Sequence, residues 1–164
     1  MLRLLKAEHA MPRYRVAFLA AGLLPLFVAA DPPARVGMPV DQLVAARQSG
    51  MVLASAALAW MEKAPERNAD IRKQSYMAGN LAKWAKTLPA LFPAGSGPDS
   101  TSLRMSAKSE VWSDRPGYEK AAQDFIAAAS RLTDVAKAGD LPGFKAQVSV
   151  VQKSCDECHQ QYKD

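Results

Sequence analysis

The chain ends with residues 141–164, LPGFKAQVSVVQKSCDECHQQYKD, and the apolar positions of this stretch decide the fold. These positions recur at intervals of three and four residues: Phe144, Val148, Val151, Cys155, Cys158 and Tyr162. Such spacing places one apolar stripe along a single helix face. Asp140 and Pro142 are residue types that favour the start of a helix. The stretch therefore predicts a long amphipathic helix with both cysteines facing a core.

The two cysteines and the histidine behind them form the pattern Cys-x-x-Cys-His, at Cys155, Cys158 and His159. This pattern is the attachment signature of a c-type haem, in which two thiols bond to the vinyl groups and the imidazole ligates iron. On a helix, the three side chains lie within one turn and reach toward the same side. We therefore expect one covalently attached haem c, with His159 as an axial ligand of the iron.

Three other kinds of site use the same residue types. A dithiol redox pair normally opens a helix in a strand–helix–strand unit, and no strand pattern precedes this pair. A zinc site needs four ligands, and the only histidine besides His159 is His9. A disulfide between Cys155 and Cys158 would close a very small loop and add little stability. Haem attachment is therefore the interpretation that we favour.

The N-terminal stretch has the pattern of a secretory leader. Basic residues precede an apolar run, residues 16–30, that ends in small side chains, and we place cleavage after Ala30. A membrane anchor is the alternative, but the run is shorter than the roughly 20 residues that a span requires. We expect residues 1–30 to be a removed signal peptide, with Met11 as an alternative start. The mature protein would then lie in the periplasm, where c-type haem is attached in bacteria. We expect it to have no membrane span.

The net charge of +5 is concentrated in that leader. Four of the 21 basic residues and one of the 16 acidic residues lie in the first thirty positions, which leaves +2 for the remainder. Nucleic-acid binding requires a basic patch or stripe, and the remainder shows none. We expect no nucleic-acid partner.

The rest of the chain shows helical patterns only. After a linker at residues 31–39, apolar residues at intervals of three and four predict helices over 40–63 and 66–88, a third helix from Pro116 to Gly139, and the C-terminal helix. Gly79 costs the second helix roughly 1 kcal/mol relative to alanine, which indicates a close helix contact. The sequence predicts an all-α domain over residues 40–164, an antiparallel four-helix bundle with the haem near the C-terminal helix.

Two features of this pattern stand out. Arg47 interrupts the apolar face of the first helix, either because it extends along the edge of the stripe to water or because it faces a haem propionate. Residues 93–115 form a long connection, which is usually functional or a bundle crossover. Within it, residues 108–112 predict a short turn or helix.

Several motifs make the chain resemble the cytochrome c′ family, which consists of four-helix bundles. They are Arg47-Gln48-x-x-Met51, Leu91-Phe92-Pro-x-Gly95, Ala107-Lys-Ser-Glu-Val-Trp112-Ser-Asp, Ala138-Gly-Asp140 and Cys155-x-x-Cys158-His159-x-x-x-Lys163. The resemblance implies that His159 is the proximal ligand and that Lys163 stands near the proximal face. It also implies that Arg47 and Gln48 contact the propionates, and that Met51 holds the distal position.

Met51 separates two functions. In cytochromes c′ the distal residue is generally apolar and unligated, which leaves five-coordinate iron that binds nitric oxide or carbon monoxide. Relatives with the same bundle use a methionine near this position as a sixth ligand and carry electrons. A methionine that only fills the core is a third reading. We favour five-coordinate iron, because the Arg47-Gln48 pair accompanies it.

We therefore expect a haem protein that exchanges electrons with a periplasmic redox partner or binds a small gas, and not an enzyme. A haem peroxidase is the alternative from another class, but it needs a distal acid–base residue, and the mature chain contains no histidine besides His159. A haem-free helical interaction module is a third hypothesis. The resemblance further implies a homodimer through the first two helices, whose small residues permit close packing.

Overall fold

The computed structural model describes residues 37–164, so the predicted signal peptide and most of the linker lie outside the described range. The described residues form five α-helices and two short 3-10 helices: α1 (Val40–Glu62), α2 (Ile71–Thr87), Leu88–Leu91, Pro98–Ser100, α3 (Glu110–Ser113), α4 (Arg115–Ala138) and α5 (Leu141–Tyr162). Within residues 37–164 the only β-type pairing is one isolated bridge, between Ala107 and Lys163. The predicted all-α fold is confirmed.

The four long helices form an antiparallel bundle. α4 packs extensively against α2 and α5, and α1 packs against α2 and α5. The core between them contains the fully buried Met61, Leu132, Phe144 and Val151. Phe144 and Val151 belong to the stripe that the C-terminal sequence predicts, so that stripe is a core seam.

Aspartates set where three of these helices begin. The carboxylate of Asp70 accepts a hydrogen bond from the backbone N–H of Arg72, at 3.0 Å. Asp114 and Asp140 cap α4 and α5 in the same way, each accepting from the backbone N–H three residues later. Capping of this kind stabilises a helix by about 1 kcal/mol.

The predicted start of the second helix at residue 66 is wrong. α2 begins at Ile71, and turns fill residues 63–68, where Asn68 has a positive φ of 51°. The chain needs these turns to reverse direction after α1. The cap at Asp70 then fixes the first turn of α2, which periodicity alone does not reveal.

The long connection is anchored along its second half. We call residues 104–108 the strap, because they run beside the C-terminal end of α5. The backbone N–H of Lys108 donates to the carbonyl of Tyr162 at 3.0 Å, and that of Asp164 donates to the carbonyl of Ser106 at 2.9 Å. α3 follows the strap, so the short helix predicted near residues 108–112 is confirmed. The connection crosses the end of the bundle and closes it.

Two glycines in helix interiors have different surroundings. A β-carbon at Gly50 on α1 would run into the indole ring of Trp84 on α2. A β-carbon at Gly79 would meet only the methyl group of Thr133, at 3.8 Å, which is ordinary van der Waals contact. The close helix contact that we predicted at Gly79 is therefore at Gly50.

We predict opposite effects for alanine at these two positions. Gly50→Ala should lower the free energy of unfolding by about 1 kcal/mol, because displacing the indole of Trp84 costs about 1–3 kcal/mol and the better helix propensity of alanine offsets only about 0.5–1 kcal/mol of that cost. Gly79→Ala should raise it by about 0.5–1 kcal/mol, because alanine is the better helix former and the site has room. Urea denaturation followed by circular dichroism measures both values. Equal effects of the two substitutions would contradict the packing described here.

Candidate functional site

Two cavities meet beside the C-terminal half of α5. The first has a volume of about 280 Å³ and lies between α1, α5 and the strap. The second has a volume of about 170 Å³ and extends from it toward the middle of the bundle. Four residues line both of them: Met51, Leu88, Cys158 and His159. A larger groove beside Trp112 is open to the surface and contains neither cysteine.

The six residues that the sequence singles out for the site come together here. Five of them line the first cavity, namely Arg47, Gln48, Met51, Cys158 and His159. Cys155 lines the second cavity, one helical turn earlier on α5. The helical spacing of three and four residues places the thiols and the imidazole along one side of α5.

Both thiols are half-buried, and neither forms a disulfide. Burial and the neighbouring Asp156 carboxylate raise the pKa of Cys155 to about 11. Burial also raises the pKa of Cys158. A dithiol redox site needs a thiolate at neutral pH, and these surroundings disfavour one. These surroundings therefore weigh against redox cycling of the two thiols.

The surroundings of His159 shift the pKa of its imidazole toward the neutral form. Burial and the ammonium group of Lys163 lower its pKa, while Asp156 raises it less. Neutral imidazole is the form that ligates a metal. Lys163 follows α5, and its backbone N–H donates to the carbonyl of His159 at 3.0 Å. The basic residue that the resemblance places near the proximal face is thus close to His159.

The first interpretation of Arg47, that its side chain extends along the edge of the stripe to water, is wrong. Only 5% of its surface is exposed. Its Nε donates to the carbonyl of Leu91 at 2.7 Å, and its other nitrogens donate to the carbonyl and hydroxyl of Ser96. The guanidinium lies 4.2 Å from the centre of the Phe92 ring. Arg47 thus ties the segment after α2 to α1, and its side chain lines the first cavity.

Gln48 and Met51 differ in what holds them. The side-chain amide of Gln48 donates to the carbonyl of Arg104 at 2.9 Å, which fastens the strap to α1. Met51 is half-buried and packs on the core with its thioether side chain. Because Met51 and His159 line the same two cavities, a group bound there would contact both.

Two tyrosines of the first cavity were not predicted as site residues. Tyr118 and Tyr162 fall on apolar helix stripes, so the pattern marks them as core residues. The hydroxyl of Tyr162 donates to the Asp114 carboxylate at 2.8 Å. Tyr118 is buried and its hydroxyl has no hydrogen-bond partner among the described residues. Their hydroxyl groups are the feature of the sequence that could have indicated a role, because a buried tyrosine hydroxyl needs a hydrogen-bond partner.

The cavity residues fit a covalently bound haem. The lining is mostly apolar, both thiols reach it from one side of α5, and a neutral imidazole follows them. The lone hydroxyl of Tyr118 is a polar feature that a polar group of such a ligand would satisfy. No cluster of three or more metal-binding side chains exists within residues 37–164, so the zinc reading gains no support.

We predict that Arg47→Lys lowers the free energy of unfolding by about 2 kcal/mol or more. An ammonium group keeps the charge but cannot reach the three acceptors that the planar guanidinium bonds, which leaves buried oxygens unpaired. Gln48→Ala is the matched control, because it removes one exposed hydrogen bond of the same cavity wall and should cost less than about 1 kcal/mol. Urea denaturation gives both values. Equal losses would show that the contacts of Arg47 are not structural.

Comparison with known proteins identifies the family. Residues 42–163 match the family model described as Cytochrome C'. Cytochrome c' of Rubrivivax gelatinosus is 40% identical over 58 residues, which are 35% of this chain and 45% of that protein. Cytochrome c' of Allochromatium vinosum is 24% identical over 152 residues, which are 92% of this chain and 98% of that protein.

Solved structures agree with this match. One cytochrome c' superimposes with a TM-score of 0.69 at 26% identity, covering 78% of this chain and 99% of that chain. A nitric oxide complex of a cytochrome c prime variant from Alcaligenes xylosoxidans gives 0.67 at 25% identity, covering 78% and 98%. The family model spans most of the chain, and the chain therefore belongs to the cytochrome c′ family of haem-binding c-type cytochromes.

Proposed function

We propose that the protein is a periplasmic cytochrome that holds one haem c and uses it to carry electrons or to bind a small gas such as nitric oxide. Cys155 and Cys158 would form the thioether bonds, and His159 would be the axial ligand. The observation that carries the proposal is the convergence of these three side chains on the two joined cavities. The haem would supply the iron that takes up an electron or a gas molecule.

The chain's own residues would exclude water and fix the orientation of the group. Leu88 and Phe92 are buried and give the first cavity an apolar wall. The strap covers one side, because Gln48 holds it to α1 and backbone hydrogen bonds hold it to the end of α5. The guanidinium of Arg47 provides positive charge at this wall, where a propionate would be stabilised.

In the first interpretation, Met51 does not ligate the iron, which is then five-coordinate with an open distal side. In the second interpretation, Met51 is the sixth ligand. Relatives of this fold have been solved as nitric oxide complexes, which supports gas binding as the first reading. The second reading has support in the position of Met51, since its side chain lines the same cavities as His159. A thioether ligand would raise the reduction potential and suit an electron carrier.

A peroxidase, the alternative from another class, has less support. It requires an acid–base group poised over the reacting atoms. Among the described residues, Asp156 is the only carboxylate that lines either cavity, and its Oδ1 accepts a hydrogen bond from Gln152 at 2.9 Å. Asp156 also lies on α5, the same helix as His159. It would therefore lie on the side of the haem that His159 occupies, and a peroxidase needs its acid–base group on the opposite side.

We predict that the reduced protein, exported by a host that attaches haem c, has broad visible bands that shift when carbon monoxide is added. Met51→Leu should leave the gas-free spectrum unchanged if the iron is five-coordinate. Met77→Leu is the matched control, because Met77 lies on α2 and lines neither cavity. Absorption spectroscopy of the ferric and dithionite-reduced forms is the measurement.

Other spectra would decide against parts of this proposal. Sharp bands that do not shift when carbon monoxide is added would indicate six-coordinate iron. If these bands broaden in Met51→Leu but not in Met77→Leu, the protein is the six-coordinate electron carrier. A protein without a Soret band in a haem-attaching host would overturn haem binding. In the double variant Cys155→Ala, Cys158→Ala, acid–acetone extraction should remove any haem that remains. Steady peroxide turnover that survives Met51→Leu would revive the peroxidase.

We also propose a homodimer through the outer face of α1. Leu53 and Trp60 lie two helical turns apart on α1 and are 69% and 54% exposed, while Tyr76 on α2 is 81% exposed. Leu53 and Tyr76 flank an apolar groove of about 330 Å³ between the two helices. By length and composition alone α1 could also cross a membrane, so its outer face is unusually apolar. Exposed apolar surface of this kind marks an interface.

We predict that Leu53→Glu combined with Trp60→Glu converts a dimer into a monomer without altering the haem spectrum. Buried charge at the centre of an interface costs several kcal/mol, which exceeds what a modest interface can bear. Val150→Glu on α5 is the control, because Val150 is 49% exposed on another face. Sedimentation velocity measures the molecular mass. A wild-type monomer, or binding of the wild type to lipid vesicles, would contradict the dimer.

A further inference from the structure

Tyr118 stands at the inner wall of the first cavity. It lies in the first turn of α4, and only 2% of its surface is exposed. Its ring packs between Phe92 and Tyr162, with ring centres 5.3 Å and 5.6 Å away. Two aromatic neighbours on different elements fix the orientation of the ring, and the side chain also lines the cavity.

The hydroxyl of Tyr118 is buried without a hydrogen-bond partner among the described residues. An unsatisfied buried hydroxyl costs about 1–3 kcal/mol, so native proteins rarely keep one without a reason. Tyr162 shows the usual solution on the same wall, since its hydroxyl donates to the Asp114 carboxylate. Within residues 37–164, no comparable acceptor bonds the hydroxyl of Tyr118.

Among the described residues, the groups around Tyr118 offer its hydroxyl no acceptor. Burial raises its pKa, the Cys158 thiol raises it further, and Arg115 and Arg47 lower it. Both arginines carry only donors, so neither can accept a hydrogen bond from the Tyr118 hydroxyl. The hydroxyl therefore stays protonated at neutral pH, and Tyr118 lines the same cavity as Cys158.

We propose that the Tyr118 hydroxyl donates a hydrogen bond to the haem itself, to the thioether sulfur at Cys158 or to a propionate oxygen, and thereby raises the reduction potential. The inference rests on the proposed haem attachment at Cys158. Tyr118 is a positioning residue here, because it acts on the electronics and orientation of the group. Hydrogen bonds to haem-borne groups are among the means by which proteins set haem potentials.

Tyr118→Phe tests the proposal in the haem-loaded, full-length protein. Phenylalanine keeps the ring between Phe92 and Tyr162 and removes only the hydroxyl. The reduction potential should fall, and resonance Raman bands of the haem substituents should lose the shift that the wild type shows in D₂O. A shift in the thioether C–S band identifies the sulfur as acceptor, and a shift in the propionate bending band identifies the carboxylate. Tyr76→Phe, at an exposed tyrosine on α2, is the control.

The outcomes separate this inference from the proposed function. A pyridine haemochrome assay that finds no covalent haem would overturn the attachment on which both depend. Covalent haem with an unchanged potential and an unchanged isotope response in Tyr118→Phe would overturn the hydrogen bond and leave the proposed function standing. A loss of stability without a change in potential would assign Tyr118 a packing role only.

Discussion

A buried guanidinium holds together the end of the bundle that contains the site. Arg47 enters from α1 and donates to the backbone of two residues, Leu91 and Ser96, beyond α2. Phe92 and Trp112 lie on its faces, at 4.2 Å and 5.6 Å from the ring centres. Burying the charge is costly, and burial lowers the pKa of Arg47. Hydrogen bonds and aromatic faces offset that cost, so the cavity wall keeps one arrangement.

α1 is apolar on more than one face, and this explains its unusual composition. Its inner face supplies Val44 and Leu58 to the core, whereas Leu53 and Trp60 point outward. Arg47 is the charged interruption of the inner face, at the cavity. A helix that serves a core and a cavity and, as we propose, an interface needs apolar residues around most of its circumference. Composition alone therefore cannot distinguish it from a membrane-spanning helix.

The periodicity of the sequence predicts features that depend on residues close in sequence. It does not predict contacts between residues that are far apart in sequence. The seam of α5, its cap at Asp140 and the meeting of the thiols with His159 were all readable, because each follows from residues close in sequence. The start of α2 was misplaced, since a stripe does not show where a turn ends. The bonds of Arg47 were hidden because Ser96 lies 49 residues away. Tyr118 was not predicted because a tyrosine on an apolar stripe has the pattern of a core residue. Only the three-dimensional structure shows which groups surround its hydroxyl.

Two independent anchors explain how a small bundle keeps a cavity open. Below the cavity, Phe144 and Val151 fix α5 in the core. Above it, Tyr162 bonds Asp114, and the strap pairs with the backbone beyond His159. The half-buried thiols lie between these anchors and carry little of the packing themselves. Apolar openings tend to collapse when their walls can relax, because collapse recovers lost contacts. A helix pinned at both ends cannot relax in this way, which leaves Cys155, Cys158 and His159 available to a ligand.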